Sequence, residues 1–479
     1  MSWWIAGLIA ASAPAAPVVQ AGRGPVTPPA GETGPSSSGP PNGGPDQPWL
    51  PPEQAEGPVA AAGLAAPATP RAYRDDASRS GLEWQWWYQH YAYRVIGAGG
   101  TRHGDGDVLR QVIDFRRDLG LAPGVLLHAS NKLDVLLPLR TFDGVSGDTG
   151  AVNSLRELFV TVTAGSAAAP VYLDTGRINI RNGVGSGYNP TDFFKERAVL
   201  TATTRDPNAL RTDRLGVVAL RGQYLAGWGS ATVALVPRLD APSDRAEPDR
   251  RRGFGYLGLD RTNAAAAVFV KVAPRVSERL SAELLALGRE GGDVRFGTNV
   301  SALLGDALVG NLEAAAVRTR PAARPAGPAD PPHWYPRAAA NLTYTFAGGI
   351  EVTGEAIYAG DALSAASWRR YRRAADPATS LRLREVAAAR SSAQEPLTRT
   401  NWFLRAAWRD AFRRPGLAVS AFALGGTADA SFLWQGSIRQ SRGGWTVGML
   451  ASGFAGAATS QYGALPTRLY LGGFVTRIL

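Results

Sequence analysis

The feature that most constrains this chain is a period-two alternation of apolar and polar side chains, sustained for about ten residues at a time. From Val125 to Val135, Val125, Leu127, Ala129, Leu133 and Val135 fall on one face, while His128, Ser130, Lys132 and Asp134 fall on the other. Leu280, Ala282, Leu284 and Ala286 alternate with Arg279, Ser281 and Glu283; Leu342, Tyr344 and Phe346 alternate with Asn341, Thr343 and Thr345. Val352, Gly354, Ala356 and Tyr358 repeat the pattern, as do Phe432, Trp434, Gly436 and Ile438. Side chains of a strand point to opposite faces in turn, so each segment reads as a strand with one apolar and one wet face. A run of about 18 apolar residues, which a membrane-spanning helix needs, does not occur.

A soluble sandwich also alternates, and three observations favour a closed barrel instead. The segments have the length that a tilted strand needs to cross a bilayer, longer than the usual strand of a soluble sheet. Their polar faces carry charge near mid-strand, as at Arg221, Glu283 and Glu355. Connections also differ sharply in length: Phe346–Gly349 and Ser441–Gly444 are tight turns, whereas Asp240–Gly255, Arg320–Pro336 and Asp361–Arg399 are long and polar. The expected fold is all-β, an antiparallel transmembrane β-barrel of about 16 strands, within a range of about 14 to 18, because bacterial barrels usually have an even number. The barrel is expected over 124–479, and residues 75–123 form either early strands or a plug or periplasmic element.

The N-terminal segment predicts export. Trp3 to Ala11 is a short apolar stretch and Val19-Gln20-Ala21 supplies a small-residue cleavage site, so residues 1–21 read as a signal peptide. Pro28-Pro29, Ser36-Ser37-Ser38-Gly39-Pro40-Pro41 and Pro51-Pro52 mark 22–74 as a disordered Pro/Gly-rich linker. The chain has no Cys, which removes disulfides, thiol nucleophiles and thiolate metal sites, and its formal net charge is +11. The positive charge is nearly all Arg; Lys132, Lys195 and Lys271 are the only lysines. Arg250–Arg252 and Arg369–Arg373 are local basic runs that read first as solvated loop charges and second as contacts for lipopolysaccharide, while no basic face interleaved with stacking aromatics suggests nucleic acid. No cofactor motif or metal-ligand spacing is present.

The stretch Leu173–Lys195 contains Gly176-Arg177, Gly183, Gly185 and Asn189-Pro190-Thr191-Asp192. It resembles a signature of bacterial outer-membrane porin-like proteins, in which a strand opening on Gly-Arg runs into a Gly-rich turn and an Asn-Pro-x-Asp element. Where relatives often carry Trp before the first turn glycine, this chain has Asn182. Read as residues, Thr175, Arg177, Asn179 and Arg181 share one strand face, placing two guanidiniums on a lumen wall. Gly183, Gly185 and Gly187 permit positive φ or close backbone approach. Asp192, after Asn189-Pro190, is placed to cap backbone N–H groups. Two roles follow: a constriction in which Arg177 and Arg181 select anionic or polyhydroxylated solutes, or a folded-in loop pinned to the wall by an Arg177–Asp192 pair. At the C-terminus, Leu469, Leu471, Gly473, Val475 and Leu479 look like the closing-strand signal read by barrel-assembly machinery.

His128-Ala129-Ser130-Asn131 resembles the His-x-Ser-Asn element of outer-membrane phospholipases and lipid A deacylases. A His two residues from a Ser shares its face and can act as its base. Here, however, the pair shares the wet face with Lys132 and Asp134, away from lipid.

The expectation is therefore an outer-membrane porin-like channel or export port of a Gram-negative bacterium. Small hydrophilic solutes, anionic or glycan in character, would pass a lumen lined by Arg177, Asn179, Arg181, Arg221, Glu283 and Glu355. The second expectation is a non-conducting barrel acting as anchor or assembly factor, and the third a lipid hydrolase using His128 and Ser130. No enzyme activity or cofactor is expected from the first reading, and it leaves open a homo-oligomer.

Overall fold

The computed structural model describes residues 81–97, 100–142, 150–200, 204–241, 254–320, 331–373, 383, 386–387, 389–391 and 393–479. The expected signal peptide and linker, and Arg250–Arg252, lie outside the described residues.

Eighteen strands form one sheet that closes on itself. They are β1 (Gly81–Gly97), β2 (Gly100–Ala122), β3 (Val125–Arg140), β4 (Gly150–Ser166), β5 (Ala169–Ile178), β6 (Val217–Ala226), β7 (Gly229–Val236), β8 (Ala267–Pro274) and β9 (Leu280–Arg289). The second half comprises β10 (Asp293–Leu303), β11 (Leu308–Thr319), β12 (His333–Thr345), β13 (Ile350–Ala359), β14 (Thr400–Trp408), β15 (Leu417–Gly426), β16 (Phe432–Arg442), β17 (Trp445–Ala455) and β18 (Thr467–Ile478). Each strand pairs antiparallel with its sequence neighbours, and β18 returns to β1 with Trp87 opposite Phe474 and Tyr91 opposite Tyr470. The number is thus 18 rather than about 16. The segments at 84–94 and 107–119, left open between strand and plug, lie within β1 and β2 and pair over their full length.

The alternation sets the walls. Leu109, Leu173, Leu220, Leu284, Leu342, Leu404 and Met449 are exposed on the outside, Met449 at 67%. Their alternate neighbours Arg110, Asp174, Glu283, Asn341 and Arg405 point inward, the first four engaged by a neighbouring side chain. An apolar exterior around a closed ladder leaves no unpaired strand edge, which is what a bilayer requires of a sheet. Among the described residues, no helix is long and apolar enough to cross a membrane.

One end of the barrel carries the short turns, at 123–124, 167–168, 227–228, 346–349 and 443–444. The other carries the long connections at 179–216, 237–266, 320–332 and 360–399. Among the described residues these carry the helices α1 (Pro207–Thr212), α2 (Leu259–Thr262) and α3 (Ala365–Arg373), and residues 383, 386–387 and 389–391 are helical as well.

Candidate functional site: a strap across the lumen

Strand β5 ends at Ile178, earlier than the alternation through Arg181 suggests, and residues 179–216 then turn into the barrel as a strap. The departure begins at Gly176, whose φ of +130° would bring a Cβ to 2.3 Å from the Leu158 carbonyl oxygen. Only glycine fits there.

Two wall carboxylates seize the strap's glycine-rich stretch. Glu313 on β11 is fully buried and accepts the backbone N–H groups of Val184, of Gly185 at 2.7 Å and of Thr191 at 3.4 Å, with the Thr191 hydroxyl at 3.2 Å. Glu355 on β13 accepts Ser186 N at 2.6 Å, Gly187 N at 3.1 Å and Tyr188 N at 2.9 Å. Asn341, on β12 between them, donates to Glu355 at 3.1 Å and to the Val184 carbonyl at 3.5 Å. Gly183 takes φ of +101°, and a Cβ there would lie 2.3 Å from Glu313 Oε1, so its missing side chain is what lets the carboxylate approach. A row of backbone donors wrapped around an anion is a compact way to hold a loop without secondary structure.

Aromatic side chains fix the strap on two walls. Ile180, Phe193 and Phe194 pack against Val217, Ala219, Ala234, Val236, Ala267, Phe269, Leu285 and Leu287 of β6–β9. Tyr188 packs with Ala339, Ile357, Phe403 and Phe422 of β12–β15. Burial of each such ring contributes roughly 1.5–3 kcal/mol. Further along, Thr204 and the Arg205 N–H are held by Gln435 of β16, and the Arg205 guanidinium lies 4.6 Å over the Phe454 ring of β17. At the return, Asp213 binds Lys132 of β3 and Arg156 of β4, and Arg156 also grips Asp114 of β2 at 2.7 Å. The strap therefore touches wall on every side of the lumen.

A second long connection locks it from above. Glu395, in the β13–β14 connection, binds Lys195 at 3.0 Å, Arg337 of β12 at 2.8 Å and the Tyr188 hydroxyl. Asp361 binds Arg337 at 2.8 Å and also Arg390, and Gln394 donates to the Lys195 carbonyl at 2.8 Å. Burial opposes ionisation of both carboxyls, but the cations outweigh it and hold both below the ordinary range: Arg337 and Arg390 for Asp361, Arg337 and Lys195 for Glu395. Groups with depressed folded values contribute stability above the unfolded carboxylate value of about 4, and that contribution is lost as pH falls below it. The latch is accordingly expected to loosen in acid. Hydrogen exchange of residues 386–395, corrected for intrinsic rate, should be faster at pH 3 than at pH 6; equal protection would contradict this.

The expected site residues separate into three groups. Arg221, Glu283 and Glu355 face the lumen: Arg221 pairs with Asp174 at 2.8 Å, and Glu283 with Lys271 at 3.1 Å and Asn299 at 2.8 Å. Asn179 and Arg181 lie on the strap instead of on a strand; Asn179 accepts from Arg214, and Arg181 is exposed. Arg177 shares the strand parity of the exposed Leu173 and stands opposite Leu158 and Val218. It is covered by the β7–β8 connection, donating to the carbonyls of Leu257 and of Gly216. It therefore sits in the wall, away from Asp192. Asp192 is fully buried against Arg214 at 2.7 and 3.1 Å, and this pair replaces both the Arg177–Asp192 pair and the capping of backbone N–H groups expected of Asp192. Asn189 and Pro190 are buried in the strap, where the Asn189 carbonyl accepts from Lys195 at 2.8 Å. Glu313, Arg214 and Glu395 had no local sequence signal. All three lysines end in ion pairs, with Asp213 of the strap, Glu395 of the β13–β14 connection and Glu283 of the wall.

His128 and Ser130 are buried on the inner wall. Ser130 Oγ accepts from Arg156 Nε at 3.0 Å, and His128 Nδ1 meets Asp118 at 2.8 Å. The serine oxygen is committed to an arginine and neither group reaches lipid.

Closed ladder, apolar exterior and polar interior define the class: a transmembrane β-barrel protein of the outer membrane. No family model matches the chain, and no curated protein is similar to it in sequence. Among solved structures, OccK7 (OpdD) of Pseudomonas aeruginosa is similar at 13% identity and a TM-score of 0.45, over 84% of this chain and 99% of its own. A BenF-like porin from Pseudomonas fluorescens Pf-5 is similar at 12% and 0.45, over 84% and 98%. OccAB1 of Acinetobacter baumannii is similar at 11% and 0.46, over 84% and 99%. At TM-scores below 0.5, the barrel's own geometry carries its functional reading.

Proposed function

We propose that the protein is a porin-like channel for small hydrophilic solutes, with the strap as its constriction and a preference for anions. The observation that carries this reading is the set of guanidiniums that face the lumen around the strap. Asp174 and Glu283 of the wall and Asp213 of the strap are paired with cations, while Glu313 and Glu355 are buried beneath the strap's backbone N–H groups. The strap adds Arg205 and Arg211, the latter held by the carbonyls of Asn182 and Gly183. Arg405 on β14 faces inward from the wall and pairs with Asp206 of the strap at 3.7 Å. A narrow passage edged by fixed guanidiniums favours anions through its field. Solute identity, anion preference and passive passage all belong to this proposal, as does placing the short turns on the periplasmic side.

Planar-bilayer recording tests it. Purified protein should give stepwise current, and a salt gradient should give a reversal potential of anion-selective sign. Arg205→Glu with Arg405→Glu should shift that potential toward cation selectivity. Absence of stepwise current would favour the second reading, a non-conducting barrel, which the anchoring of the strap on every wall also suits.

A further inference from the structure

The short-turn rim of β14–β18 has a composition that the lumen does not explain. In the β14–β15 connection, Asp410, Phe412 and Arg413 take φ of +46°, +56° and +60°. Side-chain-bearing residues seldom adopt this region, and three within four positions mark a turn whose shape is maintained against local preference. The shape holds Phe412 outward. Its ring is 68% exposed and lies 4.6 Å from that of Trp408, the last outward-facing residue of β14. Asp410 secures the turn by accepting Gly416 N at 2.7 Å, and Gln440 of β16 ties it to the neighbouring strand through the Pro415 carbonyl at 2.9 Å.

Basic side chains surround this aromatic peg. Arg413 and Arg414 are exposed on the same turn, and Arg442 is exposed at the end of β16, beside the next turn along the rim. Arg477 of β18 lies with its guanidinium 5.0 Å over the half-exposed Trp445 ring and donates to the Gly443 carbonyl at 2.9 Å. The acids nearby are engaged: Asp410 in its turn, and Glu351 facing Arg409 at 4.0 Å. No acidic side chain is bonded to Arg413, Arg414 or Arg442 among the described residues.

We propose that this rim binds an anionic phospholipid of the periplasmic leaflet, with phosphatidylglycerol as the representative headgroup. The aromatic rings of Trp408, Phe412 and Trp445 sit at the depth where acyl chains give way to headgroups, and amphipathic rings favour that layer. Arg413, Arg414 and Arg442 then meet the phosphate from the water side. A zwitterionic headgroup brings an ammonium that the arginine cluster repels, whereas a glycerol headgroup adds only hydroxyls. Lipid selectivity therefore follows from charge, at about one tenfold step or less for each arginine near the surface. The proposal rests on the barrel and its orientation, and holds whether or not the lumen conducts.

Native mass spectrometry of the full-length protein in detergent tests it, with phosphatidylglycerol and phosphatidylethanolamine added in equal amounts. The wild type should retain phosphatidylglycerol preferentially, by about tenfold or more. Arg413→Ala/Arg414→Ala/Arg442→Ala should abolish the preference, whereas Arg369→Ala/Arg370→Ala at the long-loop end should keep it. Arg442→Ala alone, at the exposed end of β16, should lower the preference part of the way, so the proposal is testable even if the triple variant fails to fold. Phe412→Ser should weaken retention of both lipids together. Equal retention of the two lipids by the wild type would overturn the proposal. An undiminished preference in the arginine variants would do so too. If the rim captured an acidic protein or cell-wall fragment without discriminating between lipids, it would be a different kind of site and the proposal would fail.

Discussion

Replacing Glu313 and Glu355 together with alanine is expected to raise single-channel conductance several-fold while leaving the barrel folded. The two carboxylates accept six backbone N–H groups from the strap, at Val184, Gly185, Thr191, Ser186, Gly187 and Tyr188. Hydrogen bonds to a charged acceptor are worth about 1.5–3 kcal/mol each, and donors left buried without a partner add a penalty. Against such a loss, Phe193, Phe194 and Tyr188 remain as anchors, so either single replacement should act more weakly than the pair. The ladder of the wall involves only backbone groups of β11–β13 and is untouched. Heat-modifiable migration should therefore persist while protease gains access to residues 183–191. Unchanged conductance in the double variant would show that the strap does not limit the pore. Glu283→Ala is the matched control, since Glu283 binds Lys271 and Asn299 and no strap backbone.

Much of the barrel was legible because one physical rule, alternate residues to alternate faces, repeats in every strand. Leu342, Tyr344 and Phe346 face out and Asn341 faces in, as their spacing implies. The count fell short where the rule blurs. In β1 the inward position 87 is Trp and the outward position 90 is His, so Trp84–Arg94 reads as amphipathic without a clear apolar side. The strap was half legible. Its glycines and the Asn189–Asp192 string marked a special turn, but Arg177 has the parity of the outward-facing Leu173, so the alternation carries it away from the lumen wall on which it was expected. One signal for the strap was present in the sequence at a distance. Val217–Leu220, Val233–Val236, Ala267–Val270 and Leu284–Leu287 are continuous apolar runs, all at the long-loop end of four successive strands. Strands lose their polar face only where both faces are buried. Outside lies lipid, and inside lie Phe193 and Phe194. Such runs locate where a lumen is filled without saying by what.

The partner of Asp192 illustrates what spacing cannot reveal, and it supplies the other large expected effect. Arg214, at the strap's return, gives both guanidinium nitrogens to Asp192, one of them also to the Ile180 carbonyl at 2.8 Å, and its Nε to Asn179 at 2.8 Å. The two charges are among the most buried in the molecule and they tie the strap's beginning to its end. Arg214→Ala would leave a carboxylate stranded beside apolar Ile180 and Phe193. Breaking such a pair costs about 3–5 kcal/mol, whereas replacing both members with apolar groups can be nearly neutral. Arg214→Ala should thus open the strap to protease and lower the temperature at which the protected core of the lumen is lost. Arg214→Met combined with Asp192→Leu should recover much of that protection, because no charge is then stranded. If the double replacement were as damaging as the single one, the pair's worth would lie in its hydrogen bonds to Ile180 and Asn179, which no apolar side chain can supply, and charge burial would not be the controlling cost.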